Sequence, residues 1–561
     1  MPHKSESLTQ HRLKIVTLFV PIIFSLVIIR LFYWQVIRGP ELRAKANRQH
    51  ETVLTLKARR GDIKDREGNL LAGTKGLYHM FIYKPQSDLS MTDISNKISP
   101  LVKVTAEASS AAEIKEYIDK RLSLESNWIS IKHFLTQEEK ESIEKLQIAG
   151  LGFEEEYIRF YPEASMSAHI LGFVGQDMAG QEQGYFGLEG YFDRQLKGRE
   201  GKVRAERDAS GNPILIGNYQ FYKATEGKNI NTSIDKGIQY ITEKYLKEGI
   251  EKYQASAGVA IVMDTKTGKI RASASFPNYD SNDFSKFPNS YYKNPVVADL
   301  FEPGSIFKIL VMAAGLNEGV VDSDTKCDMC GSPIKIGKYS IKTWDDEYRP
   351  DITMTDTIIH SDNTGMVFVA NKLGGQKFSE YLKLYGFGQK TNIELQEEVT
   401  GVITEDGGKY REIDLATNSF GQGIAITPIQ MIAAANTIAN KGVYIRPTII
   451  ENNTDQTTGT KVLSEEAANK ITEMMKKAVE SGEAKWAKPK GISIAGKTGT
   501  AQIPIEGHYD PDKTIASFIG FFPAENPKYT MLVTLREPKT SIWGSETAAP
   551  LWFQISKQLL I

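Results

Sequence analysis

The sequence predicts an α+β protein of more than one domain, carried on a single N-terminal transmembrane helix. Three observations lead to this fold class. The chain has 561 residues, which is too long for one compact core. One long apolar run lies near its N-terminus, whereas 41% hydrophobic and 24% charged residues overall are typical of a globular protein. Beyond the run, strand-like and amphipathic helical segments follow one another.

The apolar run extends over residues 15–37. Residues 15–29 carry no charge, and the apolar character resumes after Arg30. At about 1.5 Å per residue, a helix of this length crosses the roughly 30 Å core of a bilayer. We therefore expect a short tail at 1–14 and an uncleaved anchor at 15–37, whose orientation the charges on its two sides leave open. The alternative is a cleaved signal peptide, with Ala44-Lys45-Ala46 as the cleavage site.

The remainder of the chain divides near residue 229. Residues 38–228 mix strands and helices without an evident catalytic cluster, which indicates a mixed α/β domain. Residues 229–561 predict helices packed on a mainly antiparallel sheet. The predicted elements are a strand at 79–83, helices at 111–122, 136–147 and 236–253, a hairpin at 258–275, strands at 492–496, 516–523 and 529–535, and a helix at 545–560.

Charge and cysteine content exclude two classes of function. With 68 basic and 69 acidic residues the net charge is −1, so the chain lacks the basic surface expected of a nucleic-acid partner. The two cysteines, Cys327 and Cys330, are too few for a structural zinc site, which needs about four ligands. They form either a local disulfide or two ordinary thiols. We expect no metal and no cofactor.

The first motif with chemical meaning is Ser305-Ile306-Phe307-Lys308, which opens an apolar helical segment. A serine in the first helical turn lies close to unpaired backbone N–H groups and to the positive end of the helix dipole. Lys308 follows three residues later and therefore lies on the same face. Ser305 is the predicted nucleophile, and Lys308 is the predicted base that takes its proton.

Two further motifs follow in order, Ser361-Asp362-Asn363 and Lys497-Thr498-Gly499-Thr500, the latter expected at the end of the strand at 492–496. Lys497 would favour neutral Lys308 by charge repulsion, and burial would act in the same direction. Ser361 would relay a proton to the leaving amine, and Asn363 would hold a substrate amide. The last motif is the predicted substrate-binding strand and oxyanion region. Its Thr500 N–H, with that of Ser305, would form the oxyanion hole.

The ordered set is more specific than any of its members. Ser361 follows Ser305 by 56 positions, and Lys497 follows Ser361 by 136. A second K-T-G at residues 266–268 lies between two strand-like segments, and we interpret it as a turn. Penicillin-binding proteins and serine β-lactamases share the three motifs in this order.

The chain resembles the class B penicillin-binding proteins, and among them most closely the division-specific, septal enzymes. Beyond the three motifs, the resemblance includes the stretches at 59–72, 159–175, 187–201 and 419–430. It implies an elongated N-terminal pedestal (dimerisation) domain at 38–228. It also implies a C-terminal penicillin-binding transpeptidase domain of serine β-lactamase-like fold at 229–561, on the outer side of the cytoplasmic membrane, and therefore a cytoplasmic tail at 1–14.

The resemblance also implies a reaction and partners. Ser305 would attack the D-Ala–D-Ala bond of a peptidoglycan stem peptide, release the terminal D-Ala and pass the acyl group to an amine of a neighbouring strand. β-Lactams would acylate the same serine. The implied protein partners are a polytopic glycosyltransferase and other division proteins.

Several alternatives remain open on sequence grounds. An elongation-specific transpeptidase is the nearest, and the others are a carboxypeptidase, a β-lactam receptor without turnover and a scaffold. A β-lactamase would need a glutamate that activates water. Glu397 and Glu398 lie between the second and third motifs, but their surroundings do not resemble a deacylation loop.

Overall fold

The computed structural model describes residues 3–42, 45, 51–103, 110–206, 220–403, 409–452, 459–505 and 508–560. The alternative cleavage-site residues Ala44 and Ala46 lie outside this set. The chain divides into two compact units, residues 1–59 with 198–226, and residues 60–197 with 227–561.

The described helices are, in chain order, α1 (His3–Phe32), α2 (Met91–Ile98), α3 (Ala111–Leu122), α4 (Gln137–Glu144), α5 (Ala168–Leu171), α6 (Gly187–Tyr191), α7 (Asp193–Leu196), α8 (Lys236–Tyr253), α9 (Pro295–Ala298), α10 (Lys308–Asn317), α11 (Met354–Ile359), α12 (Asn363–Leu373), α13 (Gly375–Leu384), α14 (Glu412–Asn418), α15 (Pro428–Ala439), α16 (Glu465–Ser481) and α17 (Ala548–Gln558).

The described strands are β1 (Glu51–Leu56), β2 (Ile63–Lys64), β3 (Leu70–Tyr83), β4 (Trp128–Leu135), β5 (Leu151–Phe160), β6 (Phe173–Gln176), β7 (Glu182–Tyr185), β8 (Gly201–Glu206), β9 (Gln220–Tyr222), β10 (Ile230–Asn231), β11 (Ala257–Asp264), β12 (Ile270–Phe276), β13 (Ile334–Ile336), β14 (Tyr339–Ile341), β15 (Val443–Tyr444), β16 (Thr460–Lys461), β17 (Ala495–Ile505), β18 (His508–Phe522) and β19 (Tyr529–Arg536).

The first unit contains the apolar helix and a small sheet. Helix α1 continues into a π-helical turn at Tyr33–Ile37, and the stretch Arg12–Ile37 is long and apolar enough to cross a membrane. The predicted tail at 1–14 is largely helical, because α1 begins at His3. In the sheet, β1 pairs antiparallel with β8, with Leu56 opposite Gly201, and β8 pairs with β9.

The N-terminal part of the second unit is a sheet with helices on one face. Strand β3 pairs with both β4 and β5, and its side chains Met80 and Ile82 pack with those of α2 and α3. The predicted helix at 111–122 is confirmed, and the one predicted at 136–147 begins as expected but ends at Glu144. The Thr136 hydroxyl and the Glu139 carboxylate form a capping box at its N-terminus, which explains where it begins.

A buried ion-pair network fixes the chain that leads into this sheet. Arg60 Nη2 lies 2.6 Å from Glu189 Oε2, and Arg60 Nη1 lies 2.7 Å from Asp193 Oδ1. Arg159 donates to the other Glu189 oxygen at 2.5 Å and to the Gly61 carbonyl at 2.7 Å. Glu189 is completely buried, and both guanidinium groups pair with it there.

A five-stranded antiparallel sheet, in the order β12-β11-β19-β18-β17, organises the C-terminal part of the second unit. Alternate side chains of β11 point to opposite faces, because the side-chain period of a strand is two. Ala260 and Val262 pack in the cluster that contains α8 and α17, whereas Ile261 and Met263 pack with α10 and α15. The predicted arrangement of helices on an antiparallel sheet is confirmed.

Most elements predicted in this part are present. Helix α8 coincides with the prediction, the hairpin is β11–β12, and the last two predicted strands correspond to β18 and β19, although β18 begins at His508, eight residues before the predicted start. The predicted strand at 492–496 is wrong. The strand begins at Ala495, so the K-T-G motif lies at the start of β17 rather than after a strand. Cys327 and Cys330 are joined by a disulfide.

Candidate active site

Ser305 lies in a 3-10 turn, Gly304–Phe307, that continues directly into α10. Gly304 has φ +57°, a left-handed conformation that glycine adopts without strain, and a Cβ at this position would lie 3.1 Å from Ala501 Cβ. The neighbours Ile306 and Phe307 are fully buried and hold the turn, whereas Ser305 itself is partly exposed. The sequence therefore presents one hydroxyl at the surface of an otherwise buried segment.

Lys308 is fully buried beneath this turn. Its Nζ donates to the Ser361 carbonyl at 2.5 Å and to Asn363 Oδ1 at 2.8 Å, and it lies 3.2 Å from the Ser361 hydroxyl. Burial lowers the pKa of Lys308 well below its usual value, and the charge of Lys497 lowers that pKa further. Among the described residues, the partners of this amine are Ser361 and Asn363, and Ser305 is not one of them.

The second motif forms a tight turn between two helices. After α11 ends, Ser361 takes a left-handed conformation with φ +56°. Asp362 then caps α12, since its Oδ1 accepts from the Gly365 N–H at 3.0 Å. The Asn363 amide donates to the Lys342 carbonyl at 2.8 Å. Its oxygen is thereby oriented towards Lys308, which explains why the three residues occur together.

Lys497 lies near the beginning of β17, the edge strand of the central sheet, opposite Ile519. Its Nζ lies 3.2 Å from both the carbonyl and the hydroxyl oxygen of Thr498. Burial lowers the pKa of Lys497, and the charge of Glu483 acts in the opposite direction. Two amines with lowered pKa values therefore lie in the same buried region.

Gly499 is required by close packing rather than by backbone conformation. A Cβ at this position would lie 2.5 Å from Ser517 Oγ and 2.9 Å from Ile306 Cγ2, and Ile306 directly follows the predicted nucleophile. The Thr500 hydroxyl accepts from the Gly544 N–H at 3.0 Å. The absence of a side chain at residue 499 thus lets β17 lie against the turn that carries Ser305.

A cleft of about 250 Å³ brings the predicted residues together. Ser305, Asn363 and Thr500 line it, whereas Lys308, Ser361 and Lys497 are buried. Sequence reasoning did not assign the other side chains of its wall. These are Trp344, Phe420, Gln422, Gln502, Thr514, Ile542 and Trp543.

Two of these missed residues form the exposed rim of the cleft. The rings of Trp344 and Trp543 meet edge to face with centroids 5.4 Å apart. Trp344 Nε1 donates to the carbonyl of His360, the residue that precedes Ser361. An exposed tryptophan near a motif does not by itself indicate a site. The stretch that contains Phe420 and Gln422 did, however, stand out as a family signature.

The second K-T-G and Glu398, which sequence analysis excluded from the site, have structural roles elsewhere. In the second K-T-G, the Asp264 carboxylate accepts from the Thr267 N–H at 3.0 Å, and Gly268 has φ +69°. This copy is a hairpin turn, as predicted. Glu398 is committed to its own loop, because its carboxylate accepts from Thr391 and Asn392 backbone N–H groups.

Comparison with known proteins finds similarity along most of the chain. Residues 258–558 match the model of the penicillin binding protein transpeptidase domain, and residues 55–232 match that of the penicillin-binding protein dimerisation domain. Stage V sporulation protein D of Bacillus subtilis is 31% identical, over 98% of this chain and 85% of its own length. Peptidoglycan D,D-transpeptidase FtsI of Escherichia coli is 30% identical, over 73% of this chain and 68% of its own length.

A solved structure extends the likeness to three dimensions. Penicillin Binding Protein 2X from Streptococcus thermophilus superimposes with a TM-score of 0.78 at 26% identity. The superposition covers 91% of this chain and 80% of that one. Together with the family models, which match more than half of the chain, it confirms the predicted fold. The chain belongs to the penicillin-binding protein transpeptidase family.

Proposed function

We propose that the protein is a peptidoglycan D,D-transpeptidase with Ser305 as its nucleophile. One observation carries this proposal. Ser305 is presented in a cleft that also contains Asn363 and Thr500, directly before a buried lysine of lowered pKa. A nucleophile, a base and a substrate-binding edge strand are the parts that acyl transfer requires.

The reaction proceeds in two steps, acylation of Ser305 and transfer of the acyl group to an acceptor amine. Ser305 Oγ attacks the carbonyl carbon of the penultimate D-Ala, its proton passes to neutral Lys308, and the peptide C–N bond breaks. The released D-Ala nitrogen receives a proton through Ser361, whose hydroxyl lies 3.2 Å from Lys308 Nζ. An acceptor amine then attacks the ester, gives up its proton, and restores the Ser305 hydroxyl as the new peptide bond forms.

The other predicted residues bind substrate and stabilise charge. The backbone N–H groups of Ser305 and Thr500 would hold the developing oxyanion, and the Asn363 amide would hold a substrate amide. Strand β17 lies at the edge of the sheet, so its outer backbone groups are available to an extended peptide. Lys497 and the Thr498 hydroxyl, 3.2 Å apart, would bind the terminal carboxylate, and Gly499 permits the close approach.

Domain organisation and location follow from the same assignment. Residues 38–228 would form the pedestal and residues 229–561 the transpeptidase domain, an interpretation supported by the matched ranges 55–232 and 258–558. The helix at Arg12–Ile37 would anchor the chain once in the cytoplasmic membrane. The catalytic domain would then lie on the outer side, where its substrate is, together with a polytopic glycosyltransferase partner.

Covalent labelling by a β-lactam tests the assignment of Ser305 as the nucleophile. Fluorescent penicillin should label the wild-type protein covalently, and Ser305→Ala should remove the label. Ser493→Ala is a matched control, because this serine of the same part of the chain donates to Glu525 at 2.7 Å and does not line the cleft. A labelled Ser305→Ala variant would contradict the proposal. Release of hydrolysed drug at the rate of acylation would instead indicate a β-lactamase.

The cellular role that we favour is septal wall synthesis. Its support is the resemblance to division-specific enzymes and the similarity to the FtsI protein of Escherichia coli. Depletion followed by microscopy distinguishes the roles. Filaments are expected for division, whereas rounded cells would indicate elongation. Normal growth with a block in spore formation would indicate the role named for the Bacillus subtilis relative.

A further inference from the structure

The carboxylate of Glu302 joins three segments around the cleft. Glu302 precedes Ser305 by three residues. Its Oε1 accepts from the Gly423 N–H at 3.0 Å. The Tyr509 hydroxyl lies 3.2 Å from Oε1 and 3.1 Å from Oε2, and Tyr509 belongs to β18. One side chain thus contacts the 421–423 segment and the β17–β18 hairpin.

Each of the joined segments contributes to the wall of the cleft. Gln422 lies beside Gly423 in the chain, and the β17–β18 hairpin contributes Gln502 and Thr514. Tyr509 lies near the end of that hairpin, beyond a register shift, where Pro504 is its partner in β17. The bond from Tyr509 therefore attaches the outer part of the hairpin to the segment that carries the nucleophile.

The backbone around Glu302 is fixed on both sides. Phe301 exchanges two backbone hydrogen bonds with Ile426, each of 3.0 Å, and the Gly304 N–H donates to the Gly421 carbonyl at 3.0 Å. A Cβ on Gly421 would lie 2.3 Å from the Gly304 carbonyl, so the two segments are in direct contact. A displacement at Glu302 would therefore be passed on to the turn that presents Ser305.

Because the Glu302 carboxylate is partly buried, the hydrogen bonds that it accepts replace part of the stabilisation that water would give to its charge. Desolvation raises the pKa of Glu302, and the bonds from Gly423 and Tyr509 offset this rise only in part by stabilising the charged form. Hydrogen bonds to a charged, partly buried acceptor are stronger than those between neutral groups. Tyr509 is exposed, with 44% of its surface accessible, so its bond to Glu302 is a specific link between this strand and the rest of the wall.

We propose that Glu302 is a positioning residue for the acyl transfer and that, through its bond to Tyr509, it holds the β17–β18 hairpin against the segment that carries Ser305. The inference rests on the proposed function, since it assigns a role within the same cleft. The bond keeps Gln502 and Thr514 in their positions in the cleft wall while Ser305 attacks, and small displacements in a reacting complex reduce rates strongly.

The test is stopped-flow acylation by a chromogenic cephalosporin, with the full-length protein in detergent. Tyr509→Phe should lower the saturating acylation rate constant about tenfold and change the dissociation constant of the initial complex less than twofold. Tyr381→Phe is the matched control, since the Tyr381 hydroxyl donates to Glu318 at 2.8 Å away from the cleft. This control should acylate at the wild-type rate. A rate constant measured at saturation does not depend on the folded fraction of the sample.

Two further measurements separate positioning from general stability. The pH midpoint of acylation should be the same in Tyr509→Phe and wild type, because Tyr509 does not move the proton. In a double-mutant cycle, Glu302→Met with Tyr509→Phe should be no slower than Glu302→Met alone, since both act through one bond. The proposal is overturned by a wild-type rate for Tyr509→Phe, an equal loss in the Tyr381 control, a shifted midpoint or additive losses. A wild-type protein that does not acylate would refute the proposed function itself.

Discussion

The Nζ atom of Lys308 lies 2.5 Å from the carbonyl oxygen of Ser361, a residue 53 positions away in the chain. Asn363 Oδ1 accepts from the same amine at 2.8 Å. These two bonds fix the amine of the first motif against the second motif. When the amine is neutral, they also restrict the directions in which its lone pair can point. The position of Lys308 therefore depends on the turn at Ser361 as much as on its own helix.

The first prediction concerns Lys308 as a base. Its pKa is lowered by burial and by Lys497, so acylation should increase as the pH rises through that lowered pKa and the amine loses its proton. Lys308→Arg keeps the positive charge, but a guanidinium does not give up its proton in this range. The arginine variant should acylate far more slowly at every pH, as measured by stopped flow between about pH 6 and 10.

The same experiment has an informative opposite outcome. If Lys308 contributed only positive charge, arginine would replace it and the rates would stay close to those of wild type. Circular dichroism of both proteins checks that the larger side chain is accommodated, since residue 308 is fully buried.

The second prediction separates the two K-T-G copies. Lys497→Ala removes a buried amine that lies in the site and should lower the acylation rate constant about a hundredfold, the effect of losing roughly 3 kcal/mol of electrostatic stabilisation. Lys266→Ala changes an exposed residue of the β11–β12 turn and should leave the rate unchanged. Equal effects of the two variants on acylation would mean that the active-site strand is assigned incorrectly.

The third prediction concerns Glu243, a carboxylate of α8 that accepts from the Ser167 N–H at 2.7 Å. Burial raises its pKa from 4.5 to about 7. A raised pKa in the folded state stabilises the protein below pH 4.5, and this contribution is lost as the pH rises towards 7. Glu243→Gln should therefore be more stable than wild type at pH 8 by up to about 3 kcal/mol, and nearly equal at pH 4.5.

Thermal unfolding across this pH range measures the effect. Glu251→Gln, an exposed substitution on the same helix, is the control and should follow wild type at every pH. A stability difference between Glu243→Gln and wild type that does not grow with pH would show that the carboxylate is already charged at low pH.

The fourth prediction concerns the Glu189 network. Glu189→Ala leaves Arg60 and Arg159 buried without their shared carboxylate and should lower the free energy of unfolding by about 3–5 kcal/mol. Glu138→Ala removes an exposed partner of Lys103 and should leave the unfolding midpoint unchanged. Chemical denaturation of both variants makes the comparison, and a stable Glu189→Ala protein would show that water replaces the carboxylate.

The sequence allowed prediction of those parts that depend on local chemistry. The helix at 236–253 follows from its cap, Asp235, and its apolar period, and the turn at 266–268 follows from Asp264 and Gly268. Ser305 and Lys308 were found because their spacing within one turn has chemical meaning. The beginning of β17 was misplaced, because residues 492–494 are as apolar as a strand but make no sheet pairing.

Long-range contacts were beyond sequence reasoning. Trp344 and Trp543 meet at the rim although about 200 residues separate them, and no local pattern pairs them. The bonds from Lys308 to Ser361 also differ from the expected contact with Ser305. A buried amine takes the nearest oriented acceptors, and the left-handed backbone at Ser361 turns a carbonyl towards it.

The pairing of β1 with β8 has a consequence for how the chain is made. Strand β1 emerges soon after the apolar helix, but its partner β8 is about 145 residues further along the chain, and closing so long a loop carries an entropic cost that grows with its length. During synthesis the backbone groups of β1 therefore lack this partner until residue 206 has been added to the chain. A pause or truncation before that point would leave an open strand edge next to the membrane, which is a site for aggregation or for recognition by quality-control proteases.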